Sequence, residues 1–504
     1  MLTDVSDGVT VTAQAPVAAP EVKASHHAMV RAIAWTGGAK WAIQLFTWTS
    51  TIIVARILAP SDYGLFGMAT LYLGLVALIS EFGLGQAIVV LREMSREHIS
   101  QINTLSVTFG GLLFALSCAA ASSLGRFFHA PKLPVVIMVM SLSFLVSGGQ
   151  VVPDALLQRD LRFKLLASFD TLRAVVQALS TIILAFLGFS YWSLALGSLA
   201  GVVVGCTLLI IASPCAFAWP RWREISKALK FSGDVLGSRI AWYVYANSDF
   251  MVAGRRLGQS ALGAYTIAWT IASTPVEKIT TLVTRVTPAF FSAVQHDKSE
   301  LRRYLLRITE GLALLTFPAS FGMALVADQF VLCVLGPKWT AAIVPLRLLA
   351  VLAALRSVTT VFPSLLNARR QTRFVMLNTL FAAAIFPAAF YVTSRWGTAG
   401  IATAWILLYP VITAPFMWRT FTEIELPIGT YARSLMPAVR ACVFMTVTVV
   451  VVRLAVPSTL SIVLRFAISV VTGALAYGAI LALVERSRLR GFYALLRSRQ
   501  SEGG

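Results

Sequence analysis

The chain has 504 residues, of which 57% are hydrophobic and only 13% charged, and its mean hydropathy is +0.77. Soluble domains carry about 25% charged residues, so this composition excludes a water-soluble protein of that size and leaves a multi-pass membrane protein. The net charge of +20 is spread over short loops between apolar stretches; a single basic face for nucleic acid is therefore not expected.

In chain order, residues 1–30 are expected to form a disordered cytoplasmic tail. Asp4, Asp7 and Glu21 interrupt any cationic leader, so no signal peptide is expected. Fourteen apolar spans follow, at approximately 33–55, 64–91, 100–123, 133–153, 164–188, 191–212, 231–254, 261–294, 304–326, 341–367, 374–394, 397–420, 432–455 and 459–484. Many are near the ~20 residues that cross a bilayer. All should be helices, since lipid leaves the backbone no other partners than its own or those of a closed barrel.

Lys and Arg set the orientation. With the N-terminus inside, the cytoplasmic side holds 26 of them, including Arg159, Arg162, Lys298, Arg369 and the C-terminal tail, against 8 in outer loops. Both termini are therefore expected in the cytoplasm. No outer loop is long enough for a further domain. The five cysteines form no CxxC pair, and neither a disulfide framework, a metal site nor a cofactor is expected.

The chain repeats itself. Ala55–Gly64 aligns with Gly254–Gly263 at an offset of 199, with Arg, Leu, Ser and Gly matching at four of ten positions. Leu156–Phe163 resembles Leu365–Phe374 with two residues inserted. The expected fold is all-α: two parallel, pseudo-symmetric six-helix bundles, spans 1–6 and 7–12, plus helices 13 and 14. The corresponding segments are 31–225, 226–425 and 426–504. Transporters built from repeats bind their cargo where the repeats meet.

Eight basic residues remain inside spans, accompanied by Glu81, Asp170, Asp234, Asp249 and Glu277. A charge at mid-bilayer costs about 2.5–3.5 kcal/mol even on the lenient insertion scale, which points to a hydrated interior or to pairing. Lys40 plus 199 is Arg239, and Gln86 plus 199 is Arg285. Lys40, Arg239, Arg285 and Arg356 lie roughly 10–16 Å from the cytoplasmic ends of their helices at 1.5 Å per residue, and together suggest an anion site. Gln44 on the Lys40 face, and Tyr243 with Asn247 near the Arg239 face, add polar lining. Asp249 and Glu81 are candidates for ion coupling. Arg173 is expected to pair with Asp170 three residues earlier, Arg347 and Arg465 to snorkel, and Gly197, Gly201 and Gly205 to pack a neighbouring helix. Trp41, Trp48, Trp242, Tyr243 and Trp269 could stack on sugars or simply pack.

The ordered set Ala55–Gly64, Glu81–Ile88, Gln158–Phe163, Asn247–Asp249, Leu262–Tyr265 and Leu335–Trp339 resembles the polysaccharide transporter family of the multidrug/oligosaccharidyl-lipid/polysaccharide flippase superfamily, over about residues 31–420. The resemblance implies a non-enzymatic flippase of the bacterial inner membrane working by alternating access. Its implied cargo is a polyprenyl-diphosphate-linked oligosaccharide, and its implied partners are a polysaccharide polymerase and export machinery. With that cargo, the deep cations Lys40, Arg239 and Arg285, and secondarily Arg356, are expected to hold its diphosphate. The main alternative is a drug or metabolite antiporter of the same superfamily, which the excess of cations disfavours. A membrane polymerase would need a larger outer loop, a facilitator-type sugar transporter would need its loop signature on the opposite face, and no P-loop supports ATP-driven transport.

Overall fold

The computed structural model describes residues 43–80, 94–219 and 222–484, apart from 45 and 458, together with 85, 88 and 89; of 80, 222–238, 285 and 286 it describes the backbone alone. The chain divides into two units, 1–49 and 50–504. In the first, residues 43, 44 and 46–49 are helical, and the Thr47 hydroxyl donates to the Ile43 carbonyl at 2.9 Å.

The described residues of the second unit are helical apart from the connecting turns and the non-helical stretch 213–219. After a helical stretch at 50–57 come α1 (Pro60–Ser80), α2 (Arg96–Phe127), α3 (Leu133–Gly148), α4 (Val151–Arg159), α5 (Phe163–Phe186) and α6 (Tyr191–Ala212). Then follow α7 (Trp222–Ala293), α8 (Lys298–Phe330), α9 (Ile343–Thr359), α10 (Phe362–Ala368), α11 (Thr372–Thr393), α12 (Gly397–Glu423), α13 (Ile428–Ala455) and α14 (Ile462–Val484). Ser95 caps α2 by accepting from the His98 N–H, and Asp297 caps α8 by accepting from Ser299 and Glu300.

Among the described residues nine helical segments are long and apolar enough to cross a membrane, and a tenth arises if the bent pair α3–α4, angled at 43°, is one span. The chain is thus an all-α multi-pass membrane protein. The count falls below fourteen for three reasons. Of span 1, residues 33–42 and 45 lie outside the described residues. α7 consists of two arms around Gly258 (φ 84°), and its charges, Arg239, Arg255, Arg256, Glu277 and Lys278, dilute its hydropathy. α11 and α12, joined by the three-residue turn Ser394–Trp396, read as one apolar run over Thr372–Glu423.

The repeat is written into the backbone. Leu161 and Arg370, 209 residues apart, both adopt left-handed φ, 56° and 61°. In each case the next N–H reaches back five residues, Arg162 to Leu157 at 2.9 Å and Gln371 to Leu366 at 2.8 Å. These are matching C-terminal caps on α4 and α10. Gly188 and Gly397, also 209 apart, terminate α5 and open α12 with φ of 81° and 69°. The second sequence match therefore has a structural cause: both copies turn the chain out of a short helix.

The first match has a different one. Gly64 and Gly263 are repeat partners, and they meet where α1 crosses the second arm of α7. A Cβ on Gly64 would collide with the Gln259 carbonyl, and one on Gly263 with the Pro60 carbonyl. Next to this crossing, the Trp339 Nε1–H donates to the Ala55 carbonyl at 2.8 Å, and Lys338 to the Arg56 carbonyl at 2.7 Å. Arg56 in turn donates to the carbonyls of Val334, at 2.6 Å, and Cys333. The Trp339 ring stands edge-on to Tyr63 at 5.4 Å. The Leu335–Trp339 motif is thus a clamp on the end of the 50–57 helical stretch.

α13 and α14 pack against α8. Arg453, at the end of α13, donates to Asp328 at 2.7 Å, and Arg347 of α9 reaches the other oxygen of the same carboxylate at 3.0 Å. This corrects the expectation that Arg347 snorkels: a neighbouring acid offers it a partner. At the opposite, Arg-rich ends, Lys298 and Arg302 pair with Glu425, and Arg369 pairs with Glu423.

A side chain at the helix crossing has no room, so Gly263→Val should destabilise the protein by about 1–3 kcal/mol through overpacking. The melting temperature of detergent-solubilised protein checks this. Gly429→Ala, where a Cβ meets open space on α13, should leave that temperature unchanged or raise it slightly. The hydrogen bond and charge of Lys298 hold the Glu425 carboxyl below its usual pKa, and the Ser299 hydroxyl and Glu300 N–H do the same for Asp297. Groups depressed on folding stabilise above the ordinary carboxylate range, about 4, and lose that contribution as pH falls through it. Glu425→Gln should therefore flatten the acid limb of the melting temperature against pH.

Candidate functional site

Among the described residues, two cavities with polar lining open inside the bundle. The larger, about 890 Å3, lies among α1, α3, α4, α5 and α6, with Arg239 of α7 on one wall. Its polar lining includes Ser147, Gln150, Asp154, Gln158, Asp170, Arg173 and Ser198. The smaller, about 340 Å3, is enclosed by α7, α9, α10, α11 and α12 and carries Arg356, Glu277, Thr359, Asn378, Thr379 and Tyr409.

These cavities are repeat twins. Phe144, Ser147, Gln150, Val151, Asp154, Asp170 and Arg173 line the first; adding 209 gives Ala353, Arg356, Thr359, Thr360, Pro363, Thr379 and Ala382, all lining the second. Gly74 and Ala77 plus 199 give Ser273 and Val276, which also line the second. The place is shared and the chemistry is exchanged. Asp154, Asp170 and Arg173 face Pro363, Thr379 and Ala382 as counterparts, while Arg356 has only Ser147.

In the larger cavity, Gln158 donates its amide to Asp154 at 2.8 Å, one turn apart on α4. Gly197, Gly201 and Gly205 let α6 lie on α5 at Thr181, Gln177 and Arg173, as the small-residue stripe suggested. The Arg173 stem packs along Gly205, whose Cβ would lie 3.0 Å from its Cδ. The expected ion pair between Arg173 and Asp170 is consequently not formed: the arginine lies along its neighbour helix instead of folding back on its own, and both side chains line the cavity.

In the smaller cavity, the Arg356 guanidinium lies 5.1 Å over the Trp269 ring, a cation–π contact. Trp269 packs against Trp405 at 5.7 Å and Phe250 at 5.6 Å. Thr359 and Tyr409 share a hydrogen bond at 2.7 Å, and the Asn378 amide donates to the Ile412 carbonyl at 3.0 Å, tying α11 to α12.

Residues 53–345 match the profile of the family described as "Polysaccharide biosynthesis protein". The chain belongs to the polysaccharide biosynthesis protein family. Among its relatives, the lipopolysaccharide biosynthesis protein WzxC of Escherichia coli is 26% identical over 72% of this chain and 74% of WzxC. The succinoglycan biosynthesis transport protein ExoT of Rhizobium meliloti is 26% identical over 94% of this chain and 96% of ExoT. Among solved structures, the lipid II flippase MurJ in its inward closed conformation superposes with a TM-score of 0.72 over 90% of this chain and 99% of MurJ, at 12% identity. That likeness shows a shared fold.

Within this polysaccharide biosynthesis protein, the residues singled out from the sequence fall in several places. Arg239 and Arg356 line different cavities. Lys40, Glu81 and Gln86 lie outside the described residues, as does the side chain of Arg285, whose backbone is on the second arm of α7. Gln44 is on the helical residues of the first unit. Tyr243 donates its hydroxyl to the Leu71 carbonyl at 2.6 Å, in the space left by Gly74, and so bridges α7 to α1. Asn247 donates to the Tyr243 carbonyl of its own helix at 3.0 Å. Trp242 and Arg356 share the smaller cavity. Asp249 is fully buried and lines neither cavity; Tyr265 Oη–H and Trp405 Nε1–H both donate to its Oδ2, at 2.8 and 2.9 Å, and its Oδ1 has no hydrogen-bond partner. Sequence reasoning missed Asp154, Gln158 and the cavity role of Asp170 and Arg173. Carrying the 209 offset through spans 4 and 5 would have paired them with the Arg356 region.

Asp249→Ala strands two buried donors, each costing about 1–3 kcal/mol, and should lower the melting temperature far more than Asp249→Asn, whose amide oxygen still accepts from both. Thermal unfolding of the two purified variants compares them directly.

Proposed function

We propose that this protein moves a polyprenyl-diphosphate-linked oligosaccharide, a precursor of lipopolysaccharide, capsule or exopolysaccharide, across the bacterial inner membrane by alternating access. The observation that carries this reading is the pair of polar, charge-bearing cavities inside an apolar helical bundle of a polysaccharide biosynthesis protein. A lipid-linked diphosphate keeps its tail in hydrocarbon while its head needs a hydrated, hydrogen-bonding path.

In this proposal the chain makes fourteen passes with both termini cytoplasmic. Segments 31–225 and 226–425 are the two lobes, and 426–504 adds a helix pair. The two arms of α7 and the separate helices α11 and α12 support the higher count. Lys40, Arg239 and Arg285 hold the diphosphate, with Arg356 in the twin cavity, through charge-assisted hydrogen bonds; Arg suits phosphate by its planar fork. Gln44, Gln86, Tyr243 and Asn247 supply polar support, and Asp249 or Glu81 carries the coupling ion. The protein delivers its cargo to a polysaccharide polymerase and export machinery. The Trp339 clamp and the glycine crossing would form the closed outer end.

Deleting the gene should make the lipid-linked saccharide accumulate facing the cytoplasm and abolish surface polymer. A Lys40→Gln/Arg239→Gln double variant, expressed at normal level in that strain, should fail to restore it. Full export by the double variant would remove the diphosphate assignment. An unchanged saccharide pool and normal polymer, in a strain lacking related transporters, would favour the antiporter reading.

A further inference from the structure

We infer that the larger cavity is the docking site for the saccharide head of the cargo, and that its smaller twin is not. The identification of the head group rests on the flippase reading above; the placement rests on the chemistry of the two cavities.

Asp154, Asp170 and Arg173 all line one cavity, with Gln150 and Gln158 among them. At 1.5 Å per residue, Asp170 and Arg173 stand about 10 and 15 Å into α5, where an unsolvated charge is costly. Their three-residue spacing favours a mutual ion pair, yet none is made. Both side chains therefore present their polar groups to the cavity rather than to each other. Carboxylates only accept hydrogen bonds, guanidiniums only donate, and carboxamides do both. A ligand that answers all three must itself donate and accept at many points, as the hydroxyls of a sugar do. An ionised diphosphate only accepts and is repelled by two carboxylates, so it fits the Arg239 wall and not the Asp154–Asp170 side.

Size points the same way. Ligand pockets span about 300–1,000 Å3; at about 890 Å3 the larger cavity has room for several sugar rings, while the twin, at about 340 Å3, sits at the low end of that range. In the twin, three charged positions are Pro363, Thr379 and Ala382, and its guanidinium is stacked on Trp269. The larger chamber lines itself with two carboxylates, two guanidiniums and two carboxamides, whereas the smaller has one of each, its guanidinium stacked on Trp269 and its Asn378 amide already bonded to the Ile412 carbonyl.

The test uses the full chain purified into lipid nanodiscs and two soluble probes: the repeat-unit oligosaccharide released from the host's own surface polymer, and inorganic pyrophosphate. Asp170→Asn and Arg173→Gln should each weaken oligosaccharide binding at least tenfold and change pyrophosphate binding less than twofold. Thr379→Ala, the twin of the Asp170 position, should leave oligosaccharide binding unchanged. If the charge variants are not monodisperse, Val202→Phe, which narrows the same cavity without touching a charge, should give the same selective loss. Oligosaccharide binding that survives all three cavity variants, or falls equally with Thr379→Ala, overturns the placement while the deletion phenotype leaves the flippase reading standing. Loss of pyrophosphate binding with oligosaccharide binding retained overturns it in favour of a diphosphate pocket. A wild-type protein that binds no oligosaccharide also overturns it; the deletion strain then shows whether the flippase reading falls as well.

Discussion

Backbone meets backbone where α1 crosses the second arm of α7, and the arrangement of the bundle follows from that contact. Gly64 and Gly263 are repeat partners, each lying against a carbonyl of the other's segment. With no side chain between them, the two helices come close enough for the Trp339 clamp to reach Ala55 and for Tyr243 to reach Leu71. Small residues allow this approach in lipid, where packing and hydrogen bonds replace the hydrophobic effect as the force between helices. The crossing joins the two copies of the repeat, so each copy is left to open a chamber of its own.

The chambers then diverge. Conserved place and exchanged chemistry are what a repeat produces when one copy keeps polar groups and the other fills with packing. The smaller chamber borders a dense aromatic cluster: Trp405 touches Phe386 at 4.5 Å, Phe390 at 5.3 Å and Trp269 at 5.7 Å. Asp249 is buried beside that cluster with two strong donors on one oxygen. The larger chamber has no comparable aromatic cluster on its lining and holds two carboxylates, two guanidiniums and two carboxamides, against one of each in the smaller. The two halves therefore differ in lining chemistry despite a shared path of the chain.

The added helices are attached by charge as well as by packing. Asp328 gathers Arg347 and Arg453 from two other helices, and the Tyr477 hydroxyl donates to the Leu314 carbonyl at 2.8 Å. A carboxylate shared by two arginines gives both a partner and offsets one of their two positive charges near hydrocarbon.

Composition and apolar run length determined by themselves that this is a helical membrane protein, because lipid allows an unpaired backbone no alternative. The offset between Ala55–Gly64 and Gly254–Gly263 determined that it is a repeat, and the ordered motifs pointed to the family. Gly197, Gly201 and Gly205 announced a helix contact, since only a close neighbour requires a stripe without side chains. Tertiary structure alone decided which charges share a chamber. Arg239 and Arg356 sit at comparable depth in their helices, but depth along one axis says nothing about rotation around it, and they line different cavities. Arg173 looked paired with Asp170 because spacing within a helix is visible in a sequence. The Gly205 surface that draws its stem away belongs to another helix, and that proximity exists only once the chain is folded.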